Sequence, residues 1–258
     1  MELVELSPYI VAILFFAIAF LYSSVGLGGG SSYTALMALL GFNALAIPMV
    51  SLVLNVLVTS IGSFNFIRFR HARFKLILPF LVSSIPFAYI GGALQLPKTV
   101  FYWILLLSLL FVALRIYVLP QASIKLNLGY RQKIMLSLAL GSVLGFIAGV
   151  AGIGGGIYLV PLIIILGLGS AKEAAACGAI FIFLNSLSGL ASRLQYNSID
   201  LIPYLPIIVG VLAGGAIGSF VGSSRFSPRT MERVLGLVVL VAIVFLLKKL
   251  ITPALDTN

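Results

Sequence analysis

The sequence predicts an all-α polytopic membrane protein made of two homologous halves. Three observations carry that prediction: 61% of the residues are hydrophobic and 9% charged, about ten apolar segments approach the length of a bilayer crossing, and one ordered series of motifs occurs twice. About a quarter of the positions in water-soluble domains are charged. Here 258 residues carry 16 Lys and Arg and 6 Asp and Glu, too little polar surface to keep a globule of this size dispersed. A soluble enzyme, a nucleic-acid binder and a disulfide-stapled secreted module are excluded together. The net charge of +10 falls in short segments between apolar runs, where the positive-inside rule accounts for it, so the expected partner is the lipid bilayer and not nucleic acid.

A helix needs about 20 apolar residues to span the hydrocarbon. Eight segments reach that length: 8–26, 44–67, 76–95, 99–119, 133–151, 173–194, 202–222 and 229–250. The first is read as a membrane helix and not a secretory leader, because Glu2 and Glu5 precede it with no Lys or Arg. Two further segments, 31–40 and 157–168, are apolar but short, and each follows a glycine triplet. Ser170 and Glu173 form a capping-box pattern that opens the segment after the second triplet. Cys177 has neither a second thiol nor a nearby histidine, so it builds no disulfide and no metal site.

The motifs repeat in order. Gly26, Gly28, Gly29 and Gly30 are echoed by Gly152, Gly154, Gly155 and Gly156; Leu40-Gly41 by Leu166-Gly167; Asn55 by Asn185 after a small insertion; and Pro79, Gly91 and Gly92 by Pro203, Gly214 and Gly215. The chain therefore divides into a first membrane repeat over 1–120, a polar linker over 121–132 and a second membrane repeat over 133–258. If each short segment completes a crossing, the halves have five crossings each and opposite orientation. If the short segments are re-entrant, eight helices cross. The inverted arrangement is preferred because the basic 68–75 loop has a nearly neutral counterpart at 196–201, while Lys248 and Lys249 weigh against it.

Glycine costs about 1 kcal/mol relative to alanine in a helix, so Gly28, Gly29, Gly30 and Gly154, Gly155, Gly156 are expected to break helices at matching points. In hydrocarbon such breaks persist where they are buried in protein or line a polar cavity, and paired broken helices point to a transporter substrate site. The free N–H groups and positive dipole end of the helix after each triplet favour an anion. Polar residues gather nearby: Ser23, Ser24, Ser31, Ser32, Tyr33, Asn55, Thr59 and Ser60 in the first half, and Tyr158, Asn185, Ser186 and Ser188 in the second. The substrate-binding set expected from this is Gly28, Gly29, Gly30, Ser31, Ser32, Asn55, Gly154, Gly155, Gly156, Tyr158 and Asn185, with Arg193 as a cationic helper. Gly141, Gly145 and Gly149, and Gly210, Gly214, Gly218 and Gly222, recur every fourth residue and read as packing ridges. No catalytic residue, metal or cofactor is expected. The lone histidine, His71, lies in a basic loop, no acid sits at mid-segment, and no Lys follows the glycines of 28–32 as a phosphate loop requires.

The duplicated elements, Ser24-Val25-Gly26-Leu27-Gly28-Gly29-Gly30 and Gly149-Val150-Ala151-Gly152-Ile153-Gly154-Gly155-Gly156 followed by Pro161, resemble the TauE/SafE family of sulfite exporters and sulfonate permeases over nearly the whole chain. The resemblance implies a multi-pass transporter in the cell membrane (inner or plasma) for small sulfur-containing anions such as sulfite, sulfoacetate or other sulfonates. Alternative readings are a carrier of another small organic or inorganic anion and, behind it, a membrane-embedded enzyme. A homodimer is compatible with the sequence. The first half departs from the second in having Ser31 and Ser32 and no proline at Ala35, where the second half has Pro161.

Overall fold

The computed structural model of the chain describes residues 7–42, 46–94, 129–196 and 198–227, with scattered helical positions between 103 and 113 and between 230 and 247. The predicted segments 99–119 and 229–250 and most of the linker lie outside the described residues. Among the described residues the secondary structure is helical throughout: α1 (Pro8–Ser24), α2 (Gly30–Leu39), α3 (Ala46–Arg68), α4 (Phe74–Ala93), α5 (Tyr130–Ala151), α6 (Gly156–Ile165), α7 (Ala171–Arg193), a 3-10 turn (Ile202–Tyr204) and α8 (Leu205–Ser224). Five of these segments, Ala46–Arg68, Phe74–Ala93, Arg131–Ala151, Ala171–Arg193 and Ile202–Ser224, are long and apolar enough to cross a membrane. Ile13, Phe64, Leu78, Val82, Val143 and Val209 stand exposed on the outer faces, a surface suited to lipid.

The helix boundaries follow local chemistry. Gly26 takes a left-handed backbone (φ +77°), and the N–H of Leu27 returns to the Tyr22 carbonyl at 2.9 Å, so α1 closes on a glycine cap. Gly152 does the same for α5 (φ +67°), its N–H on the Ala148 carbonyl at 2.9 Å. Gly41 and Gly167, also left-handed, end α2 and α6 with matching bonds, Phe42 N–H to Met37 and Leu168 N–H to Ile163. The capping box at α7 forms as expected, with Glu173 N–H donating to Ser170 Oγ and Ser170 N–H to Glu173 Oε2.

Two glycine ridges set the outer packing. Gly141, Gly145 and Gly149 lie on the backbone of Phe80, Ser84 and Ala88, with the Ser83 hydroxyl beside Gly141, so α5 runs parallel to α4 in close backbone contact. Gly210, Gly214, Gly218 and Gly222 lie in the same way on Ala12, Phe16, Phe20 and Ser24, so α8 runs parallel to α1. Close backbone approach substitutes here for a hydrophobic driving force that lipid does not supply. Between these pairs α3 packs against α7. Gly189 lies 3.8 Å from Leu52 Cδ1 and Gly62 lies 3.8 Å from Ala179, measured from a built Cβ, so α3 and α7 are antiparallel.

The ends of the bundle are defined by contacts. His71 Nε2 lies 2.8 Å from the Ser223 carbonyl, Lys172 Nζ donates to that carbonyl at 3.4 Å, and Arg73 donates to the Leu168 carbonyl at 3.2 Å and pairs with Glu173 at 3.5 Å. The α3–α4 turn, the α6–α7 turn and the end of α8 therefore share one end, together with Arg68, Arg70, Lys75 and Arg225. At the other end the rings of Phe42 and Tyr204 meet at 5.9 Å, and Gln195 bonds to the Tyr89 hydroxyl. The α2–α3 turn, the α7–α8 connection and the end of α4 share that end.

Candidate functional site

Between α1 and α2, and between α5 and α6, the chain leaves its helix near one end of the bundle and returns to mid-depth before the short helix begins. Gly26 lies on the backbone of Ala175, one turn into α7, whereas Gly28 and Gly30 lie against the amide of Asn55, about two and a half turns into α3. In the second half Gly152 lies on Pro48 near the start of α3, whereas Gly154 and Gly156 lie against Ile182 in the middle of α7. The short helices then run apart, α2 toward Phe42 and α6 toward Leu168. Their N-termini, each with first-turn N–H groups lacking an intrahelical acceptor, start at the same depth. A Cβ on Gly30 would come 3.0 Å from Ile153 Cα, so the two glycine elements touch.

The side chains at this meeting point come from two facing stripes. Leu52, Asn55, Thr59 and Gly62 follow helical spacing on α3; Ala179, Ile182, Ser186 and Gly189 do so on α7. Because Leu52 meets Gly189 and Gly62 meets Ala179, Asn55 and Ser186 fall at one level. Asn55 has no solvent exposure, and neither its Oδ1 nor its Nδ2 has a hydrogen-bond partner. Only glycine fits at 28 and 30, since a Cβ at either would overlap the Asn55 amide. Ser186 Oγ, fully buried and also unpartnered, lies 2.8 Å from the position of a Cβ on Gly154. Buried polar groups nearly always have partners, so an amide with both atoms unsatisfied beside two helix N-termini has the form of a recognition group awaiting a ligand.

The other expected residues are distributed around this point. Gly29 (φ +94°) sits under the ring of Tyr33, which stacks on Phe15 at 5.4 Å between centroids; its buried hydroxyl is unpartnered. Ser31 and Ser32 are not free. The Tyr22 hydroxyl lies 3.3 Å from Ser31 Oγ and 2.6 Å from Ser32 Oγ, tying the last turn of α1 to the first turn of α2. Gly155 (φ +74°) packs against Ala148 and Phe181, and Tyr158 is buried on α6. Asn185 is buried, but its Nδ2 donates to Phe181 of its own helix at 2.8 Å, which leaves its carbonyl oxygen unpartnered. Its echo of Asn55 is not an equivalence of position, because it lies about two turns from the end of α7. Arg193 donates to the Gly149 and Val150 carbonyls at 3.1 and 2.8 Å, on the C-terminal turn of α5. Ser23, Ser24, Thr59, Ser60 and Ser188 bond to backbone carbonyls.

Sequence reasoning passed over three participants. Tyr22 looks like one more apolar-run aromatic, Ser51 donates to the Gly30 carbonyl at 3.2 Å, and Ile182 touches both glycine elements. Among the described residues no group of His, Cys, Asp and Glu is arranged to hold a metal ion.

A family model described as sulfite exporter TauE/SafE matches residues 11–246. The chain is 32% identical over 236 residues to the probable membrane transporter protein y4hK of Sinorhizobium fredii, covering 90% of this chain and 95% of that protein. It is 25% identical over 234 residues to the probable membrane transporter protein YjnA of Bacillus subtilis, covering 84% and 91%. No solved structure matches the chain.

Proposed function

The chain belongs to the sulfite exporter TauE/SafE family and is a multi-pass membrane protein, and on that premise we propose that it is a secondary transporter of small sulfur-containing anions such as sulfite or sulfonates. The anion binds where the N-termini of α2 and α6 meet, between two inverted membrane repeats. The observation that carries this reading is the Asn55 amide, wholly buried, without a partner on either atom, and set against Gly28 and Gly30. An oxyanion offers several acceptors to Nδ2, to Ser186 Oγ–H and to the first-turn N–H groups, and bonds to a charged partner are worth about 1.5–3 kcal/mol each. Inversion is supported by the ends of the bundle. The α3–α4 turn and its counterpart, the α7–α8 connection, lie at opposite ends, and so do the turns that follow α2 and α6. Basic Arg68, Arg70, Arg73, Lys75, Lys172 and Arg225 gather at one end, which the positive-inside rule assigns to the cytoplasm.

The test is titration calorimetry of the purified protein with sulfite, methanesulfonate, chloride, nitrate and acetate. Saturable binding of a sulfur oxyanion that the Asn55→Ala variant weakens by about tenfold or more is the expected result. Equal binding of a non-sulfur anion replaces the substrate class with a general small anion, and unchanged affinity in the variant removes Asn55 from the site.

A further inference from the structure

Ile182 lies against both glycine elements. From the positions a Cβ would take, its Cγ2 lies 3.2 Å from Gly28 and 2.5 Å from Gly154, while its Cγ1 and Cδ1 cover Gly156. It is 2% exposed and falls on the α7 stripe, one turn from Ser186 and about one turn off the level of Asn55. On the facing stripe of α3, Thr59 turns its hydroxyl onto the Asn55 carbonyl at 2.5 Å. A β-branched residue inside a helix is held in essentially one χ1 rotamer. Ile182 is therefore a fixed wall of set size and not a freely swinging gate.

We propose that Ile182 is the specificity-determining side chain of the anion site, the apolar gauge that sets how bulky a group the anion carries. This rests on the anion reading given above. The oxygens of any oxyanion look alike to Asn55 and the two helix N-termini, so these groups do not distinguish sulfite from a sulfonate with a large substituent. The substituent must lie where oxygens do not, and the apolar surface bordering the polar atoms is the isoleucine. Its branches divide the task. Cγ2 faces Gly28 and Gly154, while Cγ1 and Cδ1 together cover Gly156 at the start of α6. Ile182→Val deletes Cδ1 and keeps both Cγ atoms, so it thins the cover over Gly156; Ile182→Ala removes all three.

The experiment compares binding of sulfite, methanesulfonate and benzenesulfonate to wild type, Ile182→Val and Ile182→Ala, each checked for a single symmetric peak in size-exclusion chromatography. The ratio of benzenesulfonate to sulfite affinity is expected to rise about tenfold in the valine variant and further in the alanine variant, since one methylene in an apolar pocket discriminates by about 10- to 200-fold. A ratio that stays constant while all three anions weaken together makes Ile182 a packing residue and overturns the proposal. The valine variant, which loses a single methyl group, keeps the test valid if the alanine variant aggregates. Failure of wild type to bind any of the three overturns the anion reading itself, a result distinct from an unchanged ratio.

Discussion

Replacing Asn55 with leucine separates a group kept for a ligand from a group kept for the fold. The two side chains share one branched skeleton, leucine being the bulkier, so the substitution keeps the branching on the α3 stripe and swaps an amide for methyl groups. In the structure that amide has no exposure, and both polar atoms lack protein partners. An unsatisfied buried polar group costs about 1–3 kcal/mol, so removing this one should stabilise the empty protein by about 2 kcal/mol after allowance for imperfect packing against Gly28 and Gly30. In a chain of this size each kcal/mol moves Tm by roughly 2–4 °C, which gives an expected rise of roughly 4–8 °C. Ligand should act in the opposite sense. Wild type gains about 2.7 kcal/mol at a ligand concentration of 100 Kd, and the leucine variant, with its donor gone, gains little. Thermal unfolding of both proteins in detergent, with and without sulfite, reads both effects. A leucine variant that melts below wild type, or that keeps the full ligand-induced shift, would refute the argument that the amide is held in reserve.

Gly26→Ala should cost more than about 3 kcal/mol and sharply reduce the yield of folded protein, because the new Cβ meets the Ala175 carbonyl at a backbone φ of +77°; Gly62→Ala, with its nearest neighbours at 3.8 Å, should melt within about 2 °C of wild type. Arg193→Gln should lower Tm through loss of its bonds to the Gly149 and Val150 carbonyls while leaving anion affinity within about twofold, as calorimetry would show; a large loss of affinity with unchanged Tm would return Arg193 to the binding set. In a Cys177→Ala background, a cysteine at Tyr196 should react with an impermeant thiol reagent added outside intact cells and one at Arg70 should react only after permeabilisation, the opposite-sided result that inversion requires. Ser170→Ala should cost about 1 kcal/mol of stability by removing the α7 cap, with binding unchanged.

Five of the long segments and the glycine punctuation were legible because the bilayer imposes a length and because glycine has few substitutes; the predicted crossing 8–26 forms a shorter, 17-residue helix. Gly26 and Gly152 take left-handed caps, the ridges on α5 and α8 meet backbone, and the Ser170 box forms, each from a local signal that depends on neighbours within a turn. The site was half legible. Gly28, Gly30 and Asn55 do come together, but which polar residues remain unsatisfied depends on partners far along the chain. Ser31 and Ser32 are answered by Tyr22 nine or ten residues back, and no spacing rule announces that hydroxyl. Asn185 attracted attention as a second asparagine, yet Ser186, one residue on, shares the facing stripe with Ile182. Only the antiparallel pairing of α3 with α7 decides between them. Arg193, expected as a cationic helper from its charge, donates to the Gly149 and Val150 carbonyls at the end of α5, a pairing that no spacing rule announces.

On the proposed reading, the geometry also accounts for how an anion could be held at a point where the described residues place no lysine or arginine side chain. A lysine or arginine inserted at the bilayer centre costs at least about 2.5 kcal/mol. The N-terminus of one helix carries the equivalent of about half a positive charge, confined to its first turn. Because α2 and α6 start at the same depth and run to opposite ends, their positive ends add at the meeting point to roughly one unit of charge. Their negative ends lie at the two surfaces, where water and the basic loop solvate them. For the proposed anion site, two half-helices meeting in this way would supply about the countercharge that a monovalent anion needs without burying an ion of their own. The consequence for transport lies in release. Dipoles fixed in the backbone lose their focus as soon as the two glycine elements separate, whereas a lysine would follow the anion on its flexible stem. Under the proposed function, a site of this kind would weaken when the two glycine elements separate, which is the moment a carrier must let go.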